Sequence, residues 1–113
     1  MTKILYEALE SYNEYIKKIP TGCQKIADNF REDKINESLK LIIYFTEGAN
    51  WLLEVSELLR KNGFLVNLET EKIHEYLNEI NQGLEIHDYI LVADMFEYEI
   101  APFFENCRII EAQ

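Results

Sequence analysis

Apolar residues at three- and four-residue spacing dominate the chain, and they divide it into helical segments. Leu5, Leu9, Tyr12, Ile16 and Ile19 form the first such stripe, with Glu7, Glu10 and Glu14 on other faces, which predicts a helix over residues 2–18. Pro20 is expected to stop it. Thr21 and Gln24 then have capping-box spacing, and Cys23, Ile26, Ala27 and Phe30 predict a short amphipathic helix. Asp33 in "REDK" is placed to cap a third helix.

That third helix is predicted over 34–61. Ile35, Leu39, Ile42, Thr46, Ala49 and Leu53 keep one stripe, while Trp51, Leu52, Val55 and Leu59 lie well round from it. The apolar face therefore turns near Gly48, a position where another backbone can approach closely. "KNG" at 61–63 ends the helix, and Asn67 is the expected cap of a fourth, marked by Ile73, Leu77, Ile80 and Leu84 and closing near residue 83. Asp88 is expected to cap a fifth helix over 89–110. Its core stripe would be Val92, Phe96, Ile100, Phe103, Cys107 and Ile110. Ile90, Asp94, Glu97, Ala101 and Phe104 would form an outer face, and Pro102 a kink. No segment sustains two-residue alternation. The fold predicted is all-α, an antiparallel helical bundle of four main helices plus one short helix, forming a single domain over 1–113.

Composition narrows the function classes. The 113 residues carry 21 acids against 11 bases, a formal net charge of −10, so a polyanionic partner would be repelled. Nucleic acid and anionic membrane surfaces are poor partners, and no apolar run approaches the roughly 20 residues that cross a bilayer. "MTKILYEALE" meets Glu7 and Glu10 before any signal-peptide core can form, and a cytoplasmic location is expected. Cys23 and Cys107 stand alone, outside any Cys-x-x-Cys pair, and read as reduced thiols.

Candidate chemistry is sparse. Glu71-x-x-His74 has the spacing of one half of a di-iron bundle site, but Leu84 stands three positions before His87, where a second Glu is required. Asp94, Glu97 and Glu99 are the remaining carboxylates of interest. Glu99 falls on the core side of the predicted fifth helix, where a carboxylate must be paired with Arg108, a lysine or a tyrosine hydroxyl, or contact a ligand. Trp51 lies far from the marker Ile35 on its helix, under another helix or at an interface. No glycine-rich phosphate loop and no sequence-adjacent Cys–His pair is present.

Residues 76–105, "YLNEINQGLEIHDYILVADMFEYEIAPFFE", and 47–59, "EGANWLLEVSELL", resemble small acidic helical proteins of Gram-positive Firmicutes without an assigned function. The shared pattern falls on Asp88-Tyr89, Leu91, Ala93-Asp94, Glu97-Tyr98-Glu99 and Pro102. The resemblance implies a fold and no activity. Size, acidity and amphipathic helices are also shared with flagellar export chaperones, whose helix motifs are not matched here, so that likeness is one of class only.

The expected function is a non-enzymatic, cofactor-free interaction or assembly module, an export-chaperone-like adaptor or a homo-oligomer. Trp51, Ile90, Asp94, Glu97, Ala101 and Phe104 are its candidate partner contacts, and Glu99 a structural or ligand contact. The alternative is a carboxylate-rich metal-binding protein or enzyme built on Glu71, His74, Asp94, Glu97 and Glu99, although no metal site is complete in the sequence.

Overall fold

A computed structural model describes residues 2–111. Two long helices, α1 (Lys3–Arg31) and α2 (Ile35–Lys61), form an antiparallel hairpin, followed by α3 (Thr70–Glu85), α4 (Tyr89–Met95), a π-helical turn (Phe96–Ile100) and α5 (Ala101–Glu105). The C-terminal unit α4–π–α5 runs antiparallel to α1 and encloses one continuous core with the hairpin, in a particle of 47 × 21 × 21 Å. The fold is an all-α helical bundle, and α1 touches every part of it except α3 closely.

Pro20 does not stop the first helix: α1 continues through it for 29 residues and absorbs the short helix expected after it. Leu9, Tyr12, Ile16, Ile19, Cys23, Ile26, Ala27 and Phe30 are all buried, and at about 100° per residue they stay within one stripe about 100° wide. The missing N–H at Pro20 costs about 3 kcal/mol. Burying Ile26 and Phe30 alone returns roughly 1.5–3 kcal/mol each, so the unbroken stripe outweighs the proline. Ser38 adds a cross-helix tie, its buried hydroxyl donating to the Ile26 carbonyl at 2.9 Å.

The three long helices end in the same way. After α1, Asp33 takes φ 61° and Lys34 N–H donates to the Asn29 carbonyl. After α2, Gly63 takes φ 88° and Phe64 N–H donates to the Leu59 carbonyl. After α3, His87 takes φ 56° and Asp88 N–H donates to the Gly83 carbonyl. Each is a Schellman closure, in which a left-handed residue returns the chain to the last orphan carbonyls. Asp33 is thus consumed by ending α1 rather than starting α2, whose N-cap Lys34 makes no side-chain capping bond. Asn67 likewise is not the cap of α3: Glu69 holds that position, again without a side-chain bond, and α3 runs two residues past the expected stop. Asp88 does cap α4, accepting from Leu91 N–H at 3.1 Å.

The fifth helix is the largest departure from the sequence reading. Ala101 N–H donates to the Phe96 carbonyl, five residues back, so one extra residue enters the turn at 96–100. On an uninterrupted helix Phe104 lies about 120° from Val92, and the extra residue cuts that to about 20°. Ala101 and Phe104 therefore enter the core, at 4% and 2% exposure, and leave the outer face predicted for them. Phe104 meets Phe45 edge-on at 6.3 Å between ring centroids, while Phe103 turns to Tyr76 at 5.5 Å. Pro102 sits in the first turn of α5, where its missing N–H is tolerated. Helix ends at Glu105, and the expected extension to 110 is an irregular tail held by Asn13, whose side chain donates to the Ile110 carbonyl at 2.8 Å and accepts Ile110 N–H at 2.7 Å.

Candidate partner-binding face

The sequence-predicted site residues fall into three places. Asp94 and Glu97 face α1, where Arg31 binds both: Nη2 reaches Asp94 Oδ1 at 2.8 Å and Nη1 contacts Glu97 Oε1. Gln24 donates to the same Glu97 oxygen at 2.9 Å, and the Arg31 guanidinium lies 5.9 Å from the Tyr98 ring centroid. Gln24 and Arg31 hold the Glu97 carboxyl below its ordinary value, and Asp94 and Glu97 raise that of Arg31. These carboxylates thus clamp α4 and the π turn to α1. Neither Arg31 nor Gln24 was legible as their partner, because the interrupted first helix put the phase of residues 24–31 out of the account.

Glu99 is exposed, because the widened turn moves it off the Val92–Phe96–Ile100 side. Ile90 is exposed as expected, but with Ala101 and Phe104 buried no outer face of the predicted composition exists around it. Glu71 and His74 are exposed on α3, and no group of three or more His, Cys, Asp or Glu within reach of a shared ion occurs among the described residues. The thiols are poor nucleophiles: burial pushes Cys23 up to about 12 and Cys107 up to about 11.

Trp51 remains, and it lies in the main open groove of the hairpin. On α2, Tyr44, Gly48, Trp51 and Val55 share one side at four- and three-residue spacing, and on α1 so do Ile4, Ala8, Ser11 and Tyr15. The two rows face each other across the seam opposite α4 and α5. Two adjoining concavities of about 410 and 550 Å³ meet at Ser11 and Trp51. Gly48 explains how they form: a Cβ there would lie 1.6 Å from Tyr15 Oη, so the tyrosine ring occupies the space a side chain would fill. What approaches Gly48 closely is therefore a ring and not a backbone. Tyr15 then meets Trp51 edge-on, with ring centroids 5.9 Å apart at 82°.

Apolar surface and acid coexist on this face. Ile4, Tyr44 and Leu58 are exposed at 72%, 67% and 42%. Around them stand the exposed carboxylates Glu7, Glu14, Glu47 and Glu54, with Lys18 as the lone cation lining the two concavities. Tyr15, Tyr44 and the four glutamates were missed as a group; the four- and three-residue spacing of Tyr44, Gly48 and Trp51 was the signal that could have joined them.

Inside the core beneath, Tyr12 and Ser56 are fully buried, and their hydroxyls neighbour each other with no further hydrogen-bond partner among the described residues. Burial pushes the Tyr12 phenol up to about 12. These groups support the hairpin and do not open onto the groove.

Fold and face together define a small helical bundle with an acid-rimmed aromatic groove along its principal hairpin. The chain belongs to the family described as a domain of unknown function, DUF8042, which matches residues 7–110. No curated protein and no solved structure matches it. No helix among the described residues is long and apolar enough to cross a membrane.

Proposed function

We propose that this protein is a non-enzymatic interaction module that binds another protein through the open face of the α1–α2 hairpin. The observation that supports the reading is Trp51: a large aromatic side chain, partly buried, packed against Tyr15 in a groove flanked by Ile4, Tyr44 and Leu58. Exposed apolar and aromatic side chains within a polar rim are common in protein-binding surfaces, and aromatic residues contribute much of the binding energy there. A heterologous partner is favoured over self-association. An isologous pairing of this face would set Glu7, Glu14, Glu47 and Glu54 against their copies, in a chain already at −10.

The reading is tested by placing a photo-crosslinking residue at Leu58 in cells and, as a control, at Tyr98 on the far side of the bundle. A discrete adduct at position 58 that disappears in a Trp51→Ala background is the expected result. Adducts of equal yield at both positions, or an adduct at 58 unchanged by Trp51→Ala, would overturn it.

A further inference from the structure

We infer that the occupant of the α1–α2 groove is a basic amphipathic helix, a deepening that rests on the interaction reading above. Three features of the groove select this chemistry. The first is shape. The lining runs from Ile4 to Lys18 on α1 and from Tyr44 to Leu58 on α2, about 21 Å at 1.5 Å per residue. That is a shallow, open furrow roughly four helical turns long along the seam of two packed helices, a surface on which the apolar stripe of a third helix can lie.

The second feature is the distribution of apolar and acidic groups. Ala8, Tyr15, Trp51 and Val55 make the floor, and Glu7 and Glu14 line one wall while Glu47 and Glu54 line the other. A helix lying in the trough presents apolar residues downward and the flanks of its stripe to both walls. Glu7 has Lys3 at 4.0 Å on its own helix, and Glu14, Glu47 and Glu54 stand against Lys18, an excess of acid that favours Lys or Arg at those flanking positions and repels Asp or Glu.

The third feature is the aromatic set at the centre. Tyr44 and Trp51 stand on either side of Gly48, with Tyr15 between them and Glu14 and Glu47 beside them in the same concavity. Aromatic faces next to carboxylates attract an ammonium or guanidinium group from two directions, by the ring quadrupole and by the full negative charge. One Lys or Arg of the partner therefore seats over these rings, between Glu14 and Glu47, rather than at Gly48 itself, whose space the Tyr15 ring fills. The long aliphatic stem of such a side chain also suits the apolar floor it crosses.

The chain's single tryptophan is in the groove, which gives a direct reporter. Three peptides of about 18 residues with one leucine stripe and otherwise lysine, glutamine or glutamate are titrated against the whole protein, reading Trp51 emission and the anisotropy of labelled peptide. The Leu/Lys peptide is expected to saturate with a blue shift and to bind about tenfold or more tightly than Leu/Gln, with Leu/Glu weaker still. Its advantage should shrink as salt is raised to about 0.5 M. In the double variant Glu14→Gln, Glu47→Gln, the Leu/Lys peptide should fall toward the Leu/Gln affinity while the far-ultraviolet spectrum is unchanged.

Equal binding of Leu/Lys and Leu/Gln, or Leu/Lys affinity unaffected by the double variant, would overturn the inference. So would a dimer forming through the same face without peptide. The crosslink at position 58 separates this failure from failure of the interaction reading, because a Trp51-dependent adduct can persist when no preference for basic peptides exists.

Discussion

Gly48→Ala is the most informative perturbation of this structure, because two effects of known size oppose each other at one atom. Inside a helix, Gly to Ala ordinarily stabilises by about 1 kcal/mol. Here the new Cβ would lie 1.6 Å from Tyr15 Oη, 2.4 Å from Cζ and 2.8 Å from Cε2. All three atoms belong to the outer end of the partly buried Tyr15 side chain, so the ring swings aside while the backbone holds. Expelling it forfeits the edge-on contact with Trp51, about 0.5–1.5 kcal/mol, together with roughly 1.5 kcal/mol from the partly buried ring. The net expectation is destabilisation by about 1–2 kcal/mol. In a Tyr15→Ala background the obstruction is gone, and the same Gly48→Ala substitution should stabilise by about 1 kcal/mol. Urea denaturation followed at once by Trp51 fluorescence and circular dichroism reads all four proteins of the cycle. If Gly48→Ala stabilises equally in both backgrounds, the ring does not occupy the space above Gly48, and the groove built on that contact is wrong.

Other substitutions test the remaining features. His87 holds φ 56° at the end of α3, so His87→Gly should raise stability by about 1 kcal/mol in the same denaturation assay, less whatever its edge-on contact with Tyr89 contributes. Phe104→Ala should cost about 3–5 kcal/mol and Ile90→Ser no more than about 0.5, a contrast that follows only if the π turn rotates Phe104 into the core. Glu97 is held below its ordinary value of 4.5, so its contribution is complete above that pH and is lost as pH falls through the lowered folded value. Thermal melts of the protein and of Glu97→Gln should therefore differ at neutral pH and converge in acid; a constant difference across that range would show that Glu97 is not part of a charged clamp.

The sequence carried the fold class, the boundaries of α2 and the cap at Asp88, because those rest on strong periodicity and on a side chain that bonds its own helix. It misled wherever tertiary burial overrode a local rule. Pro20 is a strong stop signal, yet the stripe from Leu9 to Phe30 keeps one phase across it, and that phase was the better guide. Asp33 has the chemistry of an N-cap but supplies a left-handed turn, a second use of the same residue type. The π turn could not be read at all from a fixed advance of 100° per residue, and it moved Glu99, Ala101 and Phe104 to the opposite side, while Ile100 and Ile110 are buried as the stripe predicts. For the site, Trp51 was legible as an unsettled aromatic. Gly48 was legible as a place of close approach, but that Tyr15 is what approaches it required knowing which helix lies across from α2.

The two hydrogen bonds between Asn13 and Ile110 join positions 97 residues apart. Together with the Arg31 clamp, they make α1 and the C-terminal segment mutual halves of one core, separated by nearly the whole chain. The α1–α2 hairpin can zip locally, but the surface bearing Ile16, Ile26 and Phe30 stays wet until residues 92–110 arrive. With the hairpin formed, the segment left to close is residues 62–110, and its closure still carries an entropic cost that local helix pairing does not. Folding should accordingly end with a slow docking of the C-terminal segment, and the hairpin is the species exposed in the interval.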